Sequence, residues 1–315
     1  MYDSANLWIN RVEAGNGFEA STNFLSNAKE TVNRNTGEIW TVGSLDNLKV
    51  TVSMAGISIK GSLAKFLLPD NTYTLNRHQV KDALQKLSDD LHVDLINASV
   101  IRLDVAANFI VKHEPSRYFD ALGLCRHFNR LQTAESTLSY QTKGKEPKKA
   151  MIFYDKTMEV QQRGGTIPDV YQGANLLRYE SRWNTRLPQQ LKVPEVKGRT
   201  LFDKSFYGKM IARWADNYFN IDKRKILKAD AMERIETVSD AMDYICAVAL
   251  QRLPPDEVQN ILAELKQKGV FENRNYYSRL NKKLKDITGM ADISNSDVLT
   301  KELDAEVRQV LAEKR

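Results

Sequence analysis

Residues 100–111, VIRLDVAANFIV, are too apolar and too rich in β-branched residues for anything but a strand. Successive strand residues point to opposite faces. Ile101, Leu103 and Val105 therefore share one face, and Arg102 and Asp104 the other. The same period recurs twice downstream. Met151 and Phe153 lie opposite Tyr154 and Lys156, and Leu177 and Tyr179 lie opposite Arg178 and Glu180. Three such strands predict a half-buried antiparallel sheet. Its apolar side packs on helices, and its other side carries Arg102, Asp104, Tyr154, Lys156, Arg178 and Glu180.

The rest of the chain is built around this sheet. Residues 47–66 read as two strands turning near Ala55-Gly56. A helix over Arg77 to Leu91 follows from the spacing of Val80, Leu84, Leu87 and Leu91. Pro115 opens a second helix expected to reach Asn129, and residues 137–141 read as another strand. LKVPEVKG, with Pro194, is a connector. Beyond it helical periodicity covers 202–218, 223–234, 238–251, 255–268, 273–286 and 297–313. The expectation is an α+β fold, an antiparallel sheet covered by helices on one face, followed by an all-helical C-terminal domain. The division falls between residues 1–195 and 196–315.

Two cysteines, Cys125 and Cys246, exclude a disulfide framework and a cysteine-built zinc site. The four histidines lack H-E-x-x-H or H-x-H spacing. No apolar run approaches the roughly 20 residues of a membrane helix, and no secretion signal is visible, so a cytoplasmic location and no membrane partner are expected. The net charge of +6 is concentrated: residues 141–200 carry 12 Lys and Arg against 6 Asp and Glu. This points to a polyanion bound at one place. The loop KGKEPKK, with Lys143, Lys145, Lys148 and Lys149, directly precedes the Tyr154 strand and is the natural phosphate contact.

The polar residues of the three strands suffice for phosphodiester cleavage. Asp104 and Glu180 offer hard oxygen ligands to Mg²⁺ or Mn²⁺. Tyr154 supplies a nucleophile, and Lys156 and the arginines stabilise the transition state. The plain alternative is that these groups are cross-strand ion pairs on an exposed face. Tyr140 is the next candidate nucleophile. Tyr276-Tyr277, beside Arg274, Arg279 and Lys282, offers base stacking, and Lys223-Arg224-Lys225 offers a backbone contact at a helix start.

The three strands, in this order, resemble the gene II/gene X replication initiators of filamentous phages and related plasmids. Ile101-Arg102-Leu103-Asp104 is similar to that family's S-R-I-D strand. Tyr154-Asp155-Lys156-Thr157-Met158-Glu159 is similar to its Y-x-K-x-x-E strand. Arg178-Tyr179-Glu180-Ser181-Arg182, with Arg186, is similar to its R-[FY]-E-x-R-x-x-x-R strand. Lys60-Gly61-Ser62-Leu63-Ala64-Lys65, then Asn71, resembles its K-x-S-x-A-K segment. The resemblance spans roughly residues 45–190. It implies a rolling-circle initiator that nicks and rejoins origin DNA through a 5′-phosphotyrosine on Tyr154. It further implies a bacterial host cell, single-stranded DNA as product, and a host helicase and polymerase as partners. The His-hydrophobe-His pair of many such initiators is missing. Any metal therefore rests on Asp104, Glu180 and Glu159, the last only if the Tyr154 strand ends near Thr157. Arg102, Arg178 and Arg182 are left for DNA phosphates, and Trp183 for the core. A replication initiator or regulator that binds DNA without catalysis, and a plain interaction protein, are the competing classes.

Overall fold

The computed structural model describes residues 1–70, 72–133, 136–289 and 294–314, so Asn71 of the fourth motif lies outside the described residues. The first twelve strands in chain order are β1 (Tyr2–Asn10), β2 (Ser26–Val32), β3 (Ile39–Leu45), β4 (Leu48–Ser53), β5 (Gly56–Ser62), β6 (Ser99–Val111), β7 (Leu122–Cys125), β8 (Phe128–Thr133), β9 (Thr137–Thr142), β10 (Lys149–Asp155), β11 (Asn175–Trp183) and β12 (Ile221–Lys223). All but β7 and β12, which pair with each other, form one ten-stranded sheet in the order β2-β3-β4-β5-β1-β6-β11-β10-β9-β8. Every neighbouring pair is antiparallel. The three strands singled out in the sequence are therefore adjacent at its centre.

The alternation read from the sequence holds along β6, β10 and β11, with two informative departures. Pairing of β1 with β6 slips between Asn6 and Leu7, so that Ile101 is the extra residue on β6. Ile101 is 43% exposed, whereas Leu103 and Val105 are fully buried. A second slip, between Tyr2 and Ala5, sets Asp3 and Ser4 together against Asp104. The first 45 residues gave no strand signal, yet β1 is the central partner of β6.

One face of the sheet packs on helices. The helix Lys204–Phe219 buries Met210, Ile211, Trp214 and Tyr218 against it. Trp214 lies 4.9 Å from the Tyr179 ring and 6.2 Å from Phe109, and Tyr179 stacks on Phe153 at 4.5 Å. The helix Val298–Lys314 adds Leu303 and Val307 to the same core. It is fastened there by hydrogen bonds from Tyr218 to Asp304 and from Tyr118 to Glu302, both at 2.8 Å. The C-terminal part is helical: Val238–Arg252, Pro255–Gln267 and Arg274–Gly289 precede this last helix.

Two expected helices differ. The helix from Pro115 stops at Ala121 and gives way to β7 and β8. Gly123 is a poor helix former that lets β7 approach Asp222, and His127, at φ 69°, makes the turn into β8. Residues 223–234 do not form the expected helix either: Lys225–Leu227 pair with Ser294–Ser296, and only Ala231–Arg234 make a short 3-10 turn. β12 is held extended by β7, the Lys223 ammonium donates to the Tyr218 and Ile221 carbonyls, and Arg224 donates to the carbonyl of Gln251.

Candidate active site

The face of β6, β11 and β10 turned away from the core helices gathers most of the residues expected there, with Asp104, Arg178 and Glu180 buried on it. Glu180 is their hub. Its Oε1 accepts from the Tyr154 hydroxyl at 2.6 Å and from Arg178 Nε at 2.9 Å, and its Oε2 accepts from Arg182 Nη2 at 2.7 Å. Arg182 also lies 3.6 Å from Asp104, directly opposite it in the pairing of β11 with β6. Arg102 grips Asp104 with two bonds, at 2.9 and 2.6 Å. The arginines fall into two kinds. Arg178 is fully buried and is held by Asp3 at 3.0 Å and Asn108 at 3.1 Å as well as by Glu180. Arg102 and Arg182 each keep about a third of their side chain exposed, 31% in both cases.

Sequence reasoning missed Asp3 and Asn108. Asn108 was within reach, since continuing the period of two from Arg102 and Asp104 along β6 arrives at it. Asp3 carried no such signal, because it reaches this face only through the bulge in β1.

The β10 strand ends at Asp155, whose side chain caps the helix Lys156–Gln162 by accepting from the Met158 N–H at 2.9 Å. This corrects the placing of Lys156 on the strand: it is the first residue of that helix, fully buried, and its ammonium donates to Glu159 at 2.7 Å. Glu159 also pairs with Arg163 at 2.8 Å. The strand end that Glu159 needed is present, but its carboxylate is engaged by these two cations.

Burial and charge push the site's acids apart. Burial pushes Asp104 up to about 6, against the pull of Arg102 and Arg182. Burial would raise Glu180 too, but Arg178 and Arg182, together with the Tyr154 hydrogen bond, outweigh it and hold this carboxyl well below the usual range. The Tyr154 phenol is pushed well above its ordinary value by burial, with Arg178 opposing and Glu180 reinforcing. Burial, then Arg178, lowers Lys156. At neutral pH the resting site holds a protonated tyrosine on an ionised glutamate.

The remaining candidates separate cleanly. Lys143, Lys145 and Lys148 are exposed on the β9–β10 loop. Lys149 points the other way: its ammonium bonds Asn217 of the core helix and lies 5.7 Å from the Trp183 ring, so it is not part of the exposed basic loop. Burial, then Arg213, lowers it to about 8. Tyr140 is fully buried on the helix side, its hydroxyl donating to the Gly123 carbonyl at 2.7 Å, which removes it as a nucleophile. Trp183 is in the core, as expected. The Tyr277 hydroxyl donates to the Leu265 carbonyl, while Tyr276 is 48% exposed with Arg279 over its ring at 5.5 Å.

Among the described residues no group of three or more His, Cys, Asp or Glu is arranged to hold a metal ion. Two carboxylates do converge, however, and the Arg182 guanidinium is the cation lying against both. A hard-oxygen pair of this kind matches the small protein ligand set of Mg²⁺, which keeps most of its waters and takes further oxygens from a phosphate. The donor set therefore fits such an ion where the guanidinium now sits.

A family model for the N-terminal part of the phage replication-associated protein, the gene II product, matches residues 1–206, well over half of the chain. In structure the chain is similar to a rolling circle replication initiator protein from Geobacillus stearothermophilus, at 14% identity and a TM-score of 0.39, covering 78% of this chain and 94% of that one. No curated protein sequence matches the chain.

Proposed function

Because the chain belongs to the family of the phage replication-associated protein N-terminal region, we propose that it nicks and rejoins origin DNA to start rolling-circle replication, with Tyr154 as the nucleophile. The observation that carries this reading is the 2.6 Å hydrogen bond from the Tyr154 hydroxyl to Glu180. In the cleavage step the Tyr154 oxygen bonds to phosphorus and the bond from phosphorus to the 3′ oxygen breaks. Glu180 Oε1, already accepting the hydrogen bond, orients the phenol, whose proton passes to water as the oxygen attacks, and water protonates the departing 3′ oxygen. Rejoining is the reverse, with a 3′ hydroxyl attacking the phosphotyrosine.

The charge balance explains why the resting site does not ionise its tyrosine. Burial disfavours phenolate, and Glu180 opposes a second negative charge. Asp104 and Glu180 would hold the divalent cation, and Mg²⁺ or Mn²⁺ there would offset charge on the phosphate and the leaving oxygen. Arg102 and Arg182, the two part-exposed arginines, are placed to receive phosphate oxygens, and the buried Arg178 keeps Glu180 and Asp3 in position. Lys143, Lys145 and Lys148 extend the basic surface beside them.

The test uses single-stranded oligonucleotides tiling the DNA that flanks the gene, incubated with the protein and Mn²⁺. A covalent protein–DNA adduct on a denaturing gel, mapped to Tyr154, is expected. An adduct that persists in Tyr154→Phe, or none with any oligonucleotide, overturns the assignment.

A further inference from the structure

We propose that the open face of β4, β5 and β1 is a track for single-stranded DNA that delivers the strand to Tyr154; the inference rests on the nicking reading and adds a binding site to it. Strand register builds the track. Ser44 faces Lys49, Lys49 faces Lys60, Lys60 faces Asn6, and Asn6 faces Arg102, giving one continuous row across β3, β4, β5, β1 and β6. Residues directly opposite each other in antiparallel pairs share a face. The row therefore lies on the same side of the sheet as the candidate site and ends on the arginine that grips Asp104. At about 4.8 Å per strand it covers about 14 Å from Lys49 to Arg102. Beyond Arg102 the face continues into a depression of about 320 Å³ lined by Asn6, Arg102, Gln141, Ile152, Arg182 and Asn184.

The chemistry of the row selects its ligand. Lys49 and Lys60 are exposed, and the residues facing the same way on β3, β4 and β5 include no Asp or Glu. The adjacent row holds one half-exposed indole, Trp8 opposite Ser58, and the row beyond it a second, Trp40 opposite Ser53. Gly56, at φ +154°, makes room beneath Trp8: a Cβ there would stand 3.0 Å from the indole Cζ2 and 2.2 Å from the Ile9 carbonyl oxygen. Ammonium groups in line beside open indole faces suit a phosphate backbone whose bases are unpaired and free to stack. A duplex would keep its bases away from the rings.

The experiment is fluorescence anisotropy with fluorescein-labelled dT20, in the parent, Lys49→Gln/Lys60→Gln, Trp8→Leu, and Lys143→Gln/Lys145→Gln/Lys148→Gln, at several salt concentrations. Both track lysines are exposed, so the double variant is expected to fold. It should bind about tenfold more weakly at low salt, with its salt slope reduced by about 1.4, since each phosphate contact to a single strand contributes about 0.7. Trp8→Leu should weaken binding about fivefold or more with the slope unchanged. A double variant that binds dT20 with the parent's affinity and slope overturns the track. If the parent binds and only the loop triple variant loses affinity, the track falls while the nicking reading stands. If the parent shows no salt-dependent binding, both fall together.

Discussion

The Tyr154 phenol and the Glu180 carboxylate meet diagonally across neighbouring strands: Tyr154 is in register with Arg178, and its hydroxyl reaches two residues further along β11 to donate to Oε1 of Glu180. Glu180 keeps three bonds from Arg178 and Arg182 without it. Tyr154→Phe should therefore cost only about 1 kcal/mol of stability, the ordinary value of one hydrogen bond, while removing the covalent DNA adduct entirely. Urea unfolding and the denaturing gel read the two effects separately. A variant that unfolds several kcal/mol earlier would make this hydroxyl structural.

Asp104 has a folded pKa of about 6, above its ordinary value of 3.8, chiefly because it is buried. The folded chain holds a proton there that the unfolded chain has released between those values. This group's stabilisation is present below pH 4 and is lost as the pH rises to 6, by up to about 3 kcal/mol. Relative to Asp104→Asn, the parent should lose that much stability between about pH 4 and 6.5 in urea titrations. A difference that stays flat or grows over this range would show that Asp104 titrates as an ordinary carboxyl.

Arg182 lies against both Asp104 and Glu180 and keeps a third of its side chain in solvent. Arg182→Gln removes the positive charge that competes for the two acids. Mn²⁺ binding, followed by the electron-spin resonance of the free ion, should tighten by about tenfold, equivalent to about 1.4 kcal/mol. Unchanged affinity would separate these carboxylates from any metal.

Trp214 is fully buried between Tyr179 and Phe109. Trp214→Ala should cost roughly 3–5 kcal/mol through lost burial and the cavity left behind. A loss under about 1 kcal/mol would mean that the helix Lys204–Phe219 contributes little to the sheet it covers.

Much of this was legible in the sequence because β6, β10 and β11 obey a strict period of two. Alternation alone placed Asp104, Tyr154, Arg178 and Glu180 on one face, and four ordered motifs pointed to the family that the match over residues 1–206 confirms. The ion-pair alternative also describes the resting site, where each acid of the pair is matched by arginine. What could not be read is tertiary in origin. Asp3 arrives through a bulge, Lys156 through a strand that stops one residue earlier, and Lys149 turns inward because β10 begins on the core parity. The segment 223–234 has helical periodicity, but pairing of Lys223 with β7 and of Lys225–Leu227 with Ser294–Ser296 overrides it in its first half.

The order of the sheet sets when this chain becomes whole during synthesis. β2 to β5 are successive hairpin neighbours and close from short-range pairings and β1 joins β5, but β6 must reach back to β1, and β11 to β6, across many tens of residues in each case. Long-range closures of this kind slow folding. Because Glu180 arrives only with β11, the strand that bridges β6 and β10, a nascent or truncated chain that ends before β11 has the Lys49–Lys60 surface but lacks the acceptor of the Tyr154 hydroxyl.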